Sequence, residues 1–149
     1  MRADQYAPLP PDKMEYWSHF PQWDAETPHF NTLLGMVLED ARVDYSRLRL
    51  PYRPEVNQPA GVMHGGAISS LIDTAVVPAI GSHYEGLPLM LTISLTVNFM
   101  GAIVEEDAVC EGWVERRGRS IVFCSAEVWG ATSGKIAANA SLVYKVSPS

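Results

Sequence analysis

Two cysteines among 149 residues leave little room for cysteine chemistry. Cys110 and Cys124 belong to no CxxC or Cys/His pattern, so the ligand spacing of a zinc site is missing. Both lie in strand-like stretches among small apolar residues, the setting of buried thiols in a reducing compartment. Basic charge is also scarce. Eleven Lys and Arg face seventeen Asp and Glu, for a formal net charge of −6. A phosphate-backbone surface needs a basic excess, which argues against nucleic acid as the main partner. A local cluster of arginines can still hold a small anion. No apolar run approaches the roughly 18 residues of a membrane span. The polar, proline-rich start lacks the charged and apolar regions of a signal peptide. The expectation is a cytoplasmic chain with no membrane partner.

What is present suits one domain with a sizeable core: 47% of the residues are hydrophobic and 19% charged. Residues 1–30 read as an N-terminal arm rich in proline and aromatics. A short helix is expected over 14–20, with Tyr16, Trp17 and Phe20 on an apolar side and Pro21 as its stop. The arm reads as packing or as a lid over a ligand. The remainder, 31–149, reads as one folded domain.

In that domain, 33–43 and 45–50 look like consecutive strands, with Leu48 and Leu50 alternating with Arg47 and Arg49. Residues 51–63 form a loop carrying Asn57, Pro59 and Gly61. From 67 to 80, Ile68, Leu71, Ile72, Ala75, Val76 and Ala79 fall on one face of a helix. Pro78 cannot donate to the Thr74 carbonyl and should kink the last turn, and Gly81 is the expected stop. The pattern then switches to period two. Leu91, Ile93, Leu95, Val97 and Phe99 alternate with Thr92, Ser94, Thr96 and Asn98. Strands over 108–115, 121–129 and 136–146 complete an antiparallel set around a single helix. The class is α+β, with a sheet of five to six strands curled round the helix.

Two features can carry chemistry. Gly61-Val62-Met63-His64-Gly65-Gly66 runs straight into the helix. The first NH groups of a helix have no internal partner and attract developing negative charge. Such a loop either stabilises an oxyanion or uses glycine for turn geometry alone. Asp73 lies nine residues after His64 on the polar side of the helix. It is either a solvated helix residue or a general base or nucleophile. Arg116, Arg117 and Arg119 crowd one turn, either as exposed charge or as a phosphate site. His19, His29 and His83 are isolated and read as surface or packing residues. Trp113 and Trp129 alternate with glutamates and read as core or subunit interface.

The stretch from Asn57 through His64-Gly65-Gly66 to Asp73-Thr74-Ala75 resembles the signature of the hotdog-fold thioesterases of the phenylacetate-pathway, or PaaI-like, type. The segments 91–100, Gly118-Arg119-Ser120 and 134–138 resemble the later strand and turns of that family, so the likeness covers roughly 33–146. It implies a hotdog fold, a long central helix wrapped by an antiparallel sheet. It implies hydrolysis of an acyl-CoA thioester without metal or redox cofactor, with a non-catalytic acyl-CoA-binding hotdog domain as the alternative. It also implies a homodimer, commonly a dimer of dimers. Gly65 would offer its NH to the thioester carbonyl, and Asp73 of another subunit would be nucleophile or general base. His64 would shape the loop, Asn57 would position thioester or water, and Thr92 would hold the attacking water. Gly66, Asn98, Phe99, Met100, Arg116, Arg117, Gly118, Arg119 and Ser120 would line the substrate. Two departures stand out. Asn57 is one residue further from His64 than the commonest spacing, and Phe99-Met100-Gly101-Ala102 lacks the Arg-Pro or Ser-Pro frequent there.

Overall fold

A computed structural model describes residues 1–23 and 26–147. Positions 148 and 149, the expected end of the domain, lie outside the described residues. Short helices α1 (Pro11–Ser18) and α2 (Phe30–Leu33) precede strands β1 (Val37–Arg42) and β2 (Tyr45–Leu50). The long helix α3 (Gly65–Gly81) follows, then β3 (Leu89–Phe99), β4 (Ala108–Arg117), β5 (Ile121–Gly130) and β6 (Ile136–Ser147). The strands form one antiparallel six-stranded sheet in the order β1-β2-β4-β5-β6-β3. Its concave face carries Leu48, Leu50, Cys110, Val122, Leu142 and their neighbours onto Leu71, Ile72, Ala75 and Val76 of α3. This is the expected hotdog arrangement.

The sheet and α3 approach closely at one point. A Cβ on Gly112 would lie 2.9 Å from Val76 Cγ1 and 3.0 Å from the Ala75 carbonyl oxygen, so β4 can touch the helix only through glycine. On neighbouring β2 the buried Ser46 hydroxyl donates to the Ala75 carbonyl (2.5 Å) and accepts the Ala79 NH (3.1 Å). It therefore stands across the helical rung next to Pro78, which cannot donate and whose ring crowds the preceding turn. The sheet supplies a partner where proline weakens the helix. Gly81 does close α3, for a different reason from the one expected. It has no left-handed φ, and Ser82 keeps a helical backbone. A Cβ there would sit 2.1 Å from the Trp17 ring, so Gly81 makes room for the arm.

Local expectations shift at three places. The arm helix starts at Pro11, a residue suited to a first helical turn, and Phe20 is buried beyond its end. Leu33 and Leu34 are not in a strand. Leu33 ends α2, and Gly35 (φ 75°) turns the chain into β1. Most important, the strict alternation expected along β3 is broken by a bulge between Thr92 and Ser94. Thr92 pairs with Tyr144, while Leu95, Val97 and Phe99 pair with Leu142, Ala140 and Ala138. All of these β6 partners belong to the core. The extra residue puts Thr92 on the helix-facing side together with Leu95, Val97 and Phe99, instead of on the opposite face with Ser94.

Residues of the arm wrap the domain. Arg2 lies over the Trp113 ring at 3.6 Å and pairs with Glu111 (3.2 Å), and Tyr6 stacks on Tyr45 at 5.2 Å. Trp113, expected at a core or subunit interface, is thus partly covered by the chain's own start. His19, His29 and His83 are exposed. Both thiols are buried and unpaired, and burial pushes Cys124 up to about 12. Ser46→Ala should lower stability by about 1–3 kcal/mol, because two buried helix groups lose their shared partner. Urea unfolding checks this, and an unchanged midpoint would show that the bridge adds nothing.

Candidate active site

The loop before α3 is held from both sides. The His64 NH donates to the Val56 carbonyl (2.8 Å) and the Met63 NH to Ile103 (2.9 Å). Asn57 and Met63 form an isolated bridge, and Gly61 takes a positive φ of 83° at the tip between them. His64 is the N-cap of α3. Its Nδ1 accepts the Gly66 NH at 2.7 Å. That choice has two consequences. The imidazole is fixed as the tautomer whose proton is on Nε2. The Gly66 NH is spent, while the Gly65 NH has no acceptor among the described residues. Gly65 itself rests against the Phe99 ring, since a Cβ there would lie 3.3 Å from Phe99 Cζ.

A cleft of about 390 Å³ opens beside this helix start. Its walls include Phe30, Leu34, Val56, Asn57, His64 and Ala67. Asn57 donates through Nδ2 to the Tyr52 hydroxyl at 3.4 Å. Its Oδ1 is buried without a donor among the described residues. A buried amide oxygen without a donor is costly, and a water or ligand in the cleft would satisfy it. Asn57 and His64, two of the residues singled out in the sequence, are therefore brought together with Gly65.

Asp73 opens on a different cleft, of about 340 Å³, walled by Asn31, Val77, Pro88, Met90, Thr92 and Tyr144 among others. Its Oδ1 accepts from Thr92 Oγ1 at 2.8 Å and from the Tyr144 hydroxyl at 2.6 Å. The Tyr144 oxygen also lies 2.7 Å from the Asp73 carbonyl oxygen. Burial first, and then the negative charge of Asp73, push the Tyr144 hydroxyl above the ordinary tyrosine range, so it stays protonated as a donor. Nothing among the described residues donates to Oδ2. Thr92 reaches Asp73 only because of the β3 bulge.

Tyr144 and Asn31 escaped the sequence reading. Tyr144 lies on the inward stripe of β6 with Ala138, Ala140, Leu142 and Val146. A phenol in an aliphatic stripe needs a partner, and that was the available signal. Asn31 accepts from the Thr74 hydroxyl at 3.0 Å. No pattern in the sequence links it to α3.

The candidate substrate residues divide. Phe99 packs under Gly65, and exposed Met100 follows it at the same end of β3. Asn98 points to the outer face and donates to Asn139 (2.9 Å). Arg116, Gly118, Arg119 and Ser120 are exposed at the β4-β5 turn. Arg117 is not free there. It pairs with Asp44 (2.6 Å), with its guanidinium 5.5 Å from the Tyr84 ring centre. The strand register sets Thr92, Tyr144, Val122 and Arg117 in one row across the sheet. The arginine turn therefore lies at the Asp73 end of the molecule.

Comparison with known proteins places the geometry in context. Residues 60–137, which include both Gly65 and Asp73, match the family described as the thioesterase superfamily. A putative esterase from Saccharolobus solfataricus is 30% identical over 93 residues, 62% of this chain and 65% of that protein. The match thus spans a little under two thirds of that relative. The Escherichia coli PaaI protein, from the phenylacetic acid degradation operon, superposes with a TM-score of 0.77 at 17% identity, covering 91% of this chain and 94% of its own. A Haemophilus influenzae thioesterase also reaches 0.77, at 18% identity over 91% and 90% of the two chains. At such identities these structures share the fold.

The cap can be tested without any substrate. His64→Ala should cost about 1 kcal/mol of stability, while His64→Asn, which keeps a capping acceptor, should stay close to wild type. Equal urea midpoints for the two variants would contradict the assigned cap.

Proposed function

This chain belongs to the thioesterase superfamily, and from that premise we propose that it hydrolyses acyl-CoA thioesters to the free acid and CoA. The observation that carries the reading is the state of two groups. Among the described residues, the Gly65 NH at the start of α3 is without an acceptor, and Asp73 has one oxygen held and the other without a donor.

Each does one part of the chemistry. The Gly65 NH donates to the thioester oxygen, aided by the positive end of the helix dipole, and stabilises the charge that forms on attack. Asp73 acts in one of two ways. As general base it takes a proton from water, whose oxygen adds to the carbonyl carbon. As nucleophile its own oxygen adds, and water then cleaves the acyl anhydride. Either way the C–S bond breaks and the CoA sulfur leaves as thiolate, then takes up a proton. Asn57 Oδ1 and the lone pairs of Thr92 Oγ1 are positioned to accept from an ordered water. The Thr92 proton is already committed to Asp73.

One chain cannot do this alone. Gly65 and Asp73 are eight residues apart on α3, about 12 Å along its axis. A carbonyl oxygen bonded to one and a carbonyl carbon within reach of the other need both groups within a few ångströms of one bond. The active unit is therefore a homodimer in which Gly65 of one protomer works with Asp73 of its partner. The edge strand β3 supports the pairing. It ends the sheet, and Leu89, Ile93 and Phe99 on it are 60%, 58% and 54% exposed. Antiparallel pairing of two β3 strands about their middle brings the Thr92 end of one against the Phe99 end of the other. That sets Asp73 beside the partner's Gly65. The assembly extends to a dimer of dimers. Exposed Arg116 and Arg119, with Gly118 and Ser120, take the CoA phosphates. A cytoplasmic setting accords with the two unpaired thiols.

The reading is tested by thiol release from a panel of aliphatic and aromatic acyl-CoAs, using wild type and Asp73→Asn. Wild type is expected to release thiol from at least one. Asp73→Asn should lose roughly 100-fold or more in kcat while still binding substrate. No thiol release from any substrate would refute the activity. Full activity in Asp73→Asn would refute the mechanism.

A further inference from the structure

Resting on the thioesterase reading, we propose that Tyr144 is a positioning residue. With Thr92 it occupies Oδ1 of Asp73 and so reserves Oδ2 as the oxygen that meets the substrate or its water.

The geometry is specific to one oxygen. A carboxylate on a helix can rotate about its last bond and present either oxygen. Here two hydroxyls from two strands converge on Oδ1, at 2.6 Å from β6 and 2.8 Å from β3. Tyr144 is 3% exposed and fixed in the core, so it cannot follow a rotating carboxylate. Its oxygen also lies 2.7 Å from the Asp73 carbonyl oxygen, so the one phenolic proton is placed between two acceptors of the same residue. Two hydroxyl donors stabilise the ionised carboxylate more than the neutral acid. Both proposed routes, base and nucleophile, need the ionised form with a free oxygen. Among the described residues, Asp73 and Tyr144 are the two titratable side chains of the chain that line this cleft. The other groups facing it are Asn31 from α2, Thr74 and Val77 from α3, Leu87 and Pro88 before β3, and Leu89, Met90 and Thr92 on β3. In the proposed dimer the partner's His64 also faces this site, so the Asp73–Tyr144 contact is read from the difference in acid limb between variants rather than from its position. The competing account is that Tyr144 merely satisfies its own buried hydroxyl.

The test is kcat and KM against pH for wild type, Asp73→Asn, Tyr144→Phe, Thr92→Val and Thr92→Ser, each checked for folding by thermal melting. Tyr144→Phe is expected to lower kcat about tenfold or more, with KM changed less than about threefold. A hydroxyl donor favours a carboxylate over the neutral acid, and removing the donor weakens that preference. The acid limb of kcat is therefore expected to move to higher pH than in wild type. Thr92→Val should shift the limb in the same direction, and Thr92→Ser should restore it. A folded Tyr144→Phe enzyme with wild-type kcat and acid limb overturns the proposal. If Tyr144→Phe does not fold, identical acid limbs in Thr92→Val and Thr92→Ser overturn it. These outcomes differ from failure of the function itself, which would appear as inactive wild type or active Asp73→Asn.

Discussion

Two turns of helix separate the Gly65 amide from the Asp73 carboxylate, and no side-chain rotation closes that gap. The rest of the molecule is arranged around this fixed span. The His64 cap at the start of α3 uses the Gly66 NH and leaves the Gly65 NH without an acceptor among the described residues. Further along, Thr92 and Tyr144 clamp one oxygen of Asp73. Each end has its own cleft, with its own walls. Each chain therefore carries two separate, well-organised clefts, and the proposed reaction needs a group from each.

Rigidity of the span comes from the sheet. Gly112 lets β4 reach the helix backbone, and Ser46 bridges the rung that Pro78 weakens. Trp17 of the arm fills the space left by Gly81 at the far end. A helix held at its middle and both ends keeps Gly65 and Asp73 at constant separation, which the proposed two-copy site requires. The other side of the same design is the exposed edge of β3. Eleven residues long and apolar at several positions, it is the kind of edge that soluble proteins cover.

The helix and the six strands were legible because they follow local rules, period 3.6 and period two, whereas the pairing of His64-Gly65-Gly66 with Asp73 came from the family resemblance. What escaped depends on contacts distant in sequence. The β3 bulge leaves no trace in the alternation of Leu91 to Phe99, yet it decides that Thr92 faces Asp73. Tyr144 follows Asp73 by 71 residues and meets it only through the sheet register. Arg117 looked equivalent to Arg116 and Arg119, but its position at the end of β4 turns it toward Asp44. Leu33, the last residue of α2, and Leu34 were read as strand because they continue an apolar run, whereas Gly35 separates them from β1.

The central claim is that Gly65 and Asp73 act together only across two protomers. Mixing two inactive variants tests it directly. Gly65→Pro removes the NH at a first helical position, where proline is tolerated, and Asp73→Asn removes the base. After unfolding, mixing in equal amounts and refolding, half the dimers are hybrids with one intact site. Thiol release should recover to about a quarter of the wild-type rate. No recovery from a mixture shown to contain hybrid dimers would contradict the account.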